Sequence, residues 1–356
     1  MTEPRIGCLR SVLRRKSVDA ILVSALSHIR YLTNFTGSNA LCLIRLHGGV
    51  LYTDMRYARQ SALEVRGVRC KVTTSSLIVE AARSIALMRS PRVAVEAEHL
   101  DLEQYRRLRK LSPRARIFPS RGIVEGLSEI KEDREVRSIA KAATISDKTF
   151  EHILRRIRPG VTELDIASEI SFLQKRFGGE GDAFEPIVAG GRRSSLPHAR
   201  ATRRKIANRD IVLLDFGCVV RGYRSDITRT VVVGKASANV RRIYSAVLAA
   251  RNTAVENARA GLKARDLDQI ARQHLAGAGL ARYFIHSLGH GLGLQVHEGP
   301  KISPLSSDIL KVGNVVTLEP GVYIPSLGGI RIEDDVLITN SGCKVLSHAD
   351  TELQVV

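Results

Sequence analysis

His286, His290 and His297 fall within 12 residues of one another, with Gly289, Gly291 and Gly293 between them. The whole chain of 356 residues holds only ten histidines. Imidazole is the commonest metal ligand and the side chain best suited to moving protons near neutral pH. Glycine lets backbone come close to a ligand. It also makes segment 284–300 a poor helix and a poor packed strand, so a Gly-rich loop is expected there. A metal needs several ligands, and carboxylates in unusual settings are the natural partners.

Four carboxylates stand in such settings. Asp215 lies inside the apolar run I-V-L-L-D-F-G-C, and Asp226 follows 11 residues later, a spacing that suits neighbours across a hairpin. Glu319 ends V-V-T-L-E just before Pro320-Gly321, and Glu333 lies in I-R-I-E-D-D-V. A carboxylate buried in a hydrophobic strand is costly without a partner. Any one of these could pair with one of the many arginines. Together with His290 they supply one nitrogen and a surplus of anionic oxygen, which suits two divalent ions sharing carboxylates better than one.

Positioning these groups takes a particular order of elements. A chain of this length is too long for one ordinary core, so two domains are expected. The boundary falls between 118 and 130, where Pro119, Gly122 and Gly126 interrupt the pattern. The first part reads as an α/β unit: strands at 20–24, 40–45, 49–53, 71–74 and 92–96, and helices at 54–65, 77–88 and 101–110. His47-Gly48-Gly49 marks a hairpin. Asp54, Arg56 and Tyr57 read as capping and solvated residues, and no catalytic cluster is expected in this part. Beyond the boundary, K-E-D-R-E opens an amphipathic helix to about 156, with Val136, Ile139, Ala140 and Ala143 on one face. Pro159-Gly160 stops it, and Thr162 with Asp165 caps the next helix, to about 177. Strands at 211–218 and 225–233, helices at 240–260 and 264–277, and strands at 315–319, 329–338 and 343–346 complete the expected order. No internal repeat or low-complexity segment appears.

The net charge is +19, with arginines outnumbering lysines about three to one. The arginines are spread along the chain without interleaved aromatics, so nucleic acid is not expected as a partner despite the charge. No apolar run approaches the roughly 18 residues of a membrane span. The N-terminal ten residues lack a signal-peptide core. Five scattered cysteines without a C-x-x-C point to reduced thiols and a cytoplasmic location.

Several stretches resemble the pita-bread metallopeptidases, in particular the Xaa-Pro aminopeptidase and Xaa-Pro dipeptidase (prolidase) branch. They are S-S-L-P-H at 194–198, L-D-F-G at 214–217, S-D-I-T-R-T at 225–230, G-H-G-L-G-L-Q-V-H-E at 289–298, L-E-P-G-V-Y at 318–323 and R-I-E-D at 331–334. The resemblance implies an α/β (α+β) chain with a small creatinase-like domain at 1–122 and a catalytic pita-bread domain at 123–356. It implies Asp215, Asp226, His290, Glu319 and Glu333 as ligands of two divalent ions, Asp226 and Glu333 each contacting one or both. Manganese or cobalt is expected, with zinc or iron compatible. His198, His286 and His297 would line the substrate site, and Arg331 would orient neighbouring ligands or substrate. Glu319 would relay a proton, while His198 and His297 would stabilise the tetrahedral intermediate and aid the leaving nitrogen.

The implied activity is hydrolysis of the bond between an N-terminal residue and proline, as an Xaa-Pro aminopeptidase. The alternative is an Xaa-Pro dipeptidase. Short proline-containing peptides are the expected substrates, and the resemblance implies a homodimer. A metal-free hydrolase of creatine-like molecules would not need the intact ligand set, nor would a non-catalytic binding protein on the same fold. A methionine aminopeptidase shares the ligands, but its chains typically lack a separate N-terminal domain.

Overall fold

The computed structural model describes residues 3–356 and divides into two units, one ending at Ser128 and the other running from Glu129 to Val356. Met1 and Thr2, part of the stretch without a signal-peptide core, lie outside the described residues. No helix among the described residues is long and apolar enough to cross a membrane.

The first unit alternates helix and strand: α1 (Glu3–Arg15), β1 (Ala20–Val23), α2 (Leu26–Thr33), β2 (Ala40–Arg45), β3 (Gly49–Asp54), α3 (Ala58–Glu64), β4 (Arg69–Thr73), α4 (Leu77–Ala86), β5 (Arg92–Glu96), α5 (Leu102–Leu111), β6 (Arg116–Ser120) and α6 (Glu125–Ser128). Its six strands form one mixed sheet in the order β4-β3-β2-β1-β5-β6. β1 sits inside this sheet, antiparallel to β2 and parallel to β5, and all four of its residues are buried. That explains its uninterrupted A-I-L-V run, since a strand covered on both faces has no reason to alternate. Ala20, Leu22, Leu43, Ile78, Ala82 and Val93 share one core cluster beneath α4.

Two local expectations change here, and one helix is added. Segment 54–65 is not one helix: Asp54 ends β3, a single 3₁₀ turn covers Met55–Tyr57, and the α-helix starts at Ala58. Asp54 accepts from the Arg56 amide at 2.9 Å and caps that turn. Helix α1 went unread, although Ile6, Leu9 and Leu13 form a buried stripe at helical spacing. Pro119 does not break the pattern but lies within β6, where an edge strand tolerates a missing N–H.

The second unit contains α7 (Asp133–Leu154), α8 (Glu163–Arg176), β7 (Gly181–Asp182), β8 (Ile187–Gly190), β9 (Ile211–Phe216), β10 (Cys218–Val220), β11 (Tyr223–Arg224), β12 (Ile227–Val232), α9 (Ala238–Asn257) and α10 (Ala264–Gly277). It continues with β13 (Gly289–Gly291), β14 (Glu298–Ile302), β15 (Val315–Leu318), β16 (Gly321–Ile324), β17 (Gly328–Arg331), β18 (Asp334–Ile338) and β19 (Cys343–Val345). The expected capping box is present: the Asp165 amide donates to Thr162 Oγ1 at 3.1 Å, and the Thr162 amide returns a bond to Asp165 Oδ2 at 2.9 Å. Val240, Ile243, Val247, Ala250 and Ala254 carry α9 into the main core beside Leu267, Ala271 and Leu275 of α10.

The strands fall into short sheets whose junctions bring the acidic residues together. The sheets run β12-β9-β8, β14-β13-β15-β18-β19 and β16-β17, with a small sheet β11-β10-β7. β9 and β12 pair antiparallel with Asp215 opposite Thr228 and Phe216 opposite Ile227, which puts Asp226 one step beyond the ladder. The expected strand 329–338 is two strands: β17 pairs with β16, β18 pairs with β15, and Ile332-Glu333 bridges the sheets.

The Gly-rich segment is likewise not a loop throughout. β13 lies between β14 and β15, with a bulge between His290 and Gly291. A side chain at Gly289 would put its Cβ 2.0 Å from the Thr317 carbonyl oxygen, and one at Gly291 would meet Gly299 at 2.0 Å. The strands close over β13 because it has no side chains there. The usual penalty for glycine in a strand is outweighed by the close approach it permits.

Candidate metal centre

Each acidic residue arrives on a different element. Asp215 is held in β9, whose six residues are all buried. Asp226 precedes β12, and its backbone N–H donates to Asp335 Oδ2 at 3.0 Å. Glu333 is held from both sides. Its own N–H donates to the Thr228 carbonyl at 3.1 Å, and its carbonyl accepts from Arg229 Nη1 at 2.6 Å. Arg229 is only 1% exposed and also pairs with Asp334 at 2.7 Å, so one arginine of this strongly basic chain is a core strut. The three consecutive acids of R-I-E-D-D thus diverge. Glu333 faces the cluster, Asp334 meets Arg229 and Arg251, and Asp335 holds the Asp226 backbone.

Asp226, His290 and Glu333 each offer a ligand atom, and the three atoms lie within 4.8 Å of one another. His290 Nε2 is 3.8 Å from Asp226 Oδ2 and 3.7 Å from Glu319 Oε1. Its Nδ1 donates to the Gly291 carbonyl at 3.1 Å, which fixes the ring with Nε2 toward the carboxylates. Burial, followed by the neighbouring His297, holds His290 at about 4, so the imidazole is neutral and its lone pair available at neutral pH. Asp215 completes the group but is also paired with Arg331 Nη2.

This donor set suits added cations, because its carboxylates face one guanidinium, that of Arg331. Asp215 Oδ1, Asp226 Oδ1 and Asp335 Oδ1 are buried without a hydrogen-bond partner. Burial and then the charge of Glu333 push Asp226 and Glu319 well above the ordinary carboxyl range. Burial and then Asp215 push Glu333 up to about 8. Asp215 is raised by burial against the opposing pull of Arg331. Four mutually repelling carboxylates facing one guanidinium would carry a large penalty if ionised alone. Divalent cations coordinated by oxygen and one imidazole would remove it.

Arg331 is 3% exposed and spends its whole fork here: Nε donates to Thr228 Oγ1 at 2.9 Å, Nη1 to Tyr323 Oη at 2.7 Å and to the Pro197 carbonyl at 3.3 Å, and Nη2 to Asp215. His286 is anchored to this network, with Nε2 2.8 Å from Tyr323 Oη and Nδ1 2.8 Å from the Ser287 carbonyl. Burial, then Arg331, holds it at about 4. His297 is exposed, with its ring centroid 4.3 Å from that of His290. His198 is exposed beside Pro197, whose carbonyl accepts from Arg331 Nη1 at 3.3 Å. All nine residues singled out from the sequence therefore gather around one centre, with His198 and His297 at its exposed side.

Thr228, Tyr323 and Asp335 also belong to the centre and were given no role from the sequence. Thr228 stands in S-D-I-T-R-T and Tyr323 in L-E-P-G-V-Y, and nothing local in either stretch sets these residues apart from their neighbours.

The model of a Creatinase/Prolidase N-terminal domain matches residues 5–130, and that of Metallopeptidase family M24 matches residues 137–340. An Xaa-Pro dipeptidase of Pyrococcus furiosus is 46% identical over 231 residues, 65% of this chain and 66% of its own. A solved Xaa-Pro dipeptidase from Bacillus anthracis is 37% identical, superposes with a TM-score of 0.96 and is covered over 100% of both chains. A solved X-Pro aminopeptidase from Thermotoga maritima is 33% identical with a TM-score of 0.92, covering 99% of both chains.

Proposed function

Because this chain is a member of metallopeptidase family M24, with a creatinase-type N-terminal domain ahead of its catalytic domain, we propose that it acts as an Xaa-Pro dipeptidase. The observation that carries the choice is the full-length match, over 100% of both chains, to a solved Xaa-Pro dipeptidase. This replaces the aminopeptidase as the leading reading. The X-Pro aminopeptidase of similar structure keeps it as the second.

Asp215, Asp226, His290, Glu319 and Glu333 would hold two divalent ions, manganese or cobalt by the oxygen-rich donor set, with zinc or iron compatible. When bound, such ions supply Lewis-acid activation of water and of the scissile carbonyl. The protein's own groups do the rest. Glu319 accepts the proton released by the attacking water and returns it to the proline nitrogen as the bond breaks. His297 and His198, on the exposed side, donate to the carbonyl oxygen as it gains charge and to the leaving group. His286 and Arg331 hold the shape of the pocket through Tyr323, and Arg331 keeps Asp215 aimed inward.

Substrate length separates the two readings. The metal-loaded protein is offered Ala-Pro, a Gly-Pro dipeptide and a longer X-Pro-Y peptide. Cleavage confined to dipeptides supports the dipeptidase, and release of the first residue from the longer peptide makes it an aminopeptidase. A homodimer is proposed from the resemblance, and gel filtration at a monomer's volume would count against it. A cytoplasmic location is proposed from the five free cysteines, two of them exposed.

A further inference from the structure

A second ligand cluster lies wholly within the N-terminal unit. β1 and β5 run parallel as neighbours, so the segments leaving their C-terminal ends emerge at the same sheet edge. In open α/β sheets that edge is where ligands bind. His28 lies in α2, just after β1, and His99 in the connection after β5. Glu125 begins α6. One ligand atom from each of His28, His99 and Glu125 lies within 4.8 Å of the others. The two imidazoles meet edge to face, with centroids 5.3 Å apart and planes at 89°.

Behind this cluster stands a buried carboxylate, Glu96, only 3% exposed. Glu96 Oε1 accepts from His28 Nδ1 at 2.5 Å. Glu96 Oε2 accepts from the Ser24 and Ala25 amides at 2.5 and 2.7 Å and from Ser24 Oγ at 3.1 Å. Burial opposes its ionisation, but the His28 bond and these amides hold Glu96 below the ordinary carboxyl range. A fixed carboxylate accepting from one ring nitrogen sets the tautomer of the histidine, turns Nε2 outward as the ligand atom and raises its basicity. That is how histidine ligands of metals are usually supported.

We propose that His28, His99 and Glu125 form a divalent transition-metal site, oriented by Glu96, separate from the catalytic centre. Two imidazoles and one carboxylate favour zinc-class ions, whereas the catalytic cluster, with four carboxylates and one imidazole, is an oxygen site. Three protein ligands leave a position for water. The exposed ring of His99 borders a cavity of about 880 Å³ shared with Ser24 and Asp101, which gives the ion a way in. A bound ion would tie the ends of β1 and β5 to α6 and stabilise the N-terminal unit by mass action. No part of this site depends on the substrate assigned to the catalytic centre.

The test uses the full chain and zinc itself. Wild-type protein and the His99→Ala and Glu125→Gln variants are stripped, equilibrated by dialysis against micromolar free zinc, and analysed for zinc per chain. Folding is checked by circular dichroism, and dipeptide hydrolysis is followed in parallel. The expected result is one zinc equivalent fewer in each variant than in wild type, with unchanged hydrolysis. A Glu96→Gln variant then binds that equivalent about 10–100-fold more weakly, because it loses the orienting carboxylate. An adventitious surface ion would not respond to Glu96. Equal zinc content in wild type and both ligand variants would overturn the site, as would a third equivalent indifferent to Glu96→Gln.

Discussion

Thr228 Oγ1 donates to Glu333 Oε2 at 2.5 Å, although the two residues are 105 positions apart in the chain. The same hydroxyl accepts from Arg331 Nε at 2.9 Å, and its residue sits opposite Asp215 in the β9–β12 register. One side chain therefore aligns two of the carboxylates and the guanidinium between them.

Replacing that hydroxyl tests its role. Thr228→Val keeps the shape and strand preference of the residue but removes both hydrogen bonds. Metal affinity or activity is expected to fall about 10–100-fold, the usual effect of losing a group that supports a metal ligand. Stability is expected to drop by about 1–3 kcal/mol, because Arg331 Nε is left buried and unpaired. Metal titration and urea unfolding of the variant measure the two effects separately. Wild-type affinity with wild-type stability would show that Glu333 and Arg331 are held without Thr228.

The pH dependence of the metal-stripped protein has a defined sign. Burial, then Asp215, moves Glu333 from an ordinary 4.5 up to about 8. A carboxyl raised in the folded state contributes stability that is fully present below its unfolded value and is lost as pH rises through its folded value. Between about pH 4.5 and 8 the stripped wild type should therefore lose stability relative to a Glu333→Gln variant, which has no carboxyl to ionise there. Saturating metal should flatten that difference, because it binds the ionised form. Urea melts at several pH values, with and without metal, give the comparison. A parallel pH profile for the two stripped proteins would contradict the assignment of this shift to Glu333.

The glycines of β13 make a third test. Gly289→Ala would put a Cβ 2.0 Å from the Thr317 carbonyl oxygen, an atom of the neighbouring strand that cannot swing aside. The strands must part, at a cost of about 1–3 kcal/mol for an overpacked site, and His290 moves with them. Lower stability together with weaker metal binding is expected. A variant with wild-type melting and affinity would mean the sheet accommodates the methyl group.

What the sequence made legible follows from where the information sits. The Thr162–Asp165 cap and the apolar run of β1 are local, and both appear in the expected places. The ligand set could be found because carboxylates inside apolar strands are anomalous wherever they occur. The roles of Thr228 and Tyr323 were not legible, because each is defined by a partner on another element. The buried state of Arg229 was hidden for the same reason: its acceptors lie at Glu333, Asp334, Ala349 and Asp350. β13 was misread because glycine's local cost was counted without the strand that needs its emptiness. The break between β17 and β18 was missed because Ile332-Glu333 continues the apolar alternation while the hydrogen-bonding partner changes.

The most direct test of the catalytic assignment couples metal content to bond cleavage. Wild-type protein and an Asp226→Ala variant are stripped, dialysed against manganese or cobalt, analysed for bound metal, and assayed for proline released from Ala-Pro. Wild type is expected to regain activity in step with the ions bound at the Asp215–Glu333 cluster, while Asp226→Ala loses ions and hydrolysis together. Full hydrolysis by the stripped wild type, or by an Asp226→Ala protein without those ions, would contradict a metal-dependent peptidase built on these five ligands.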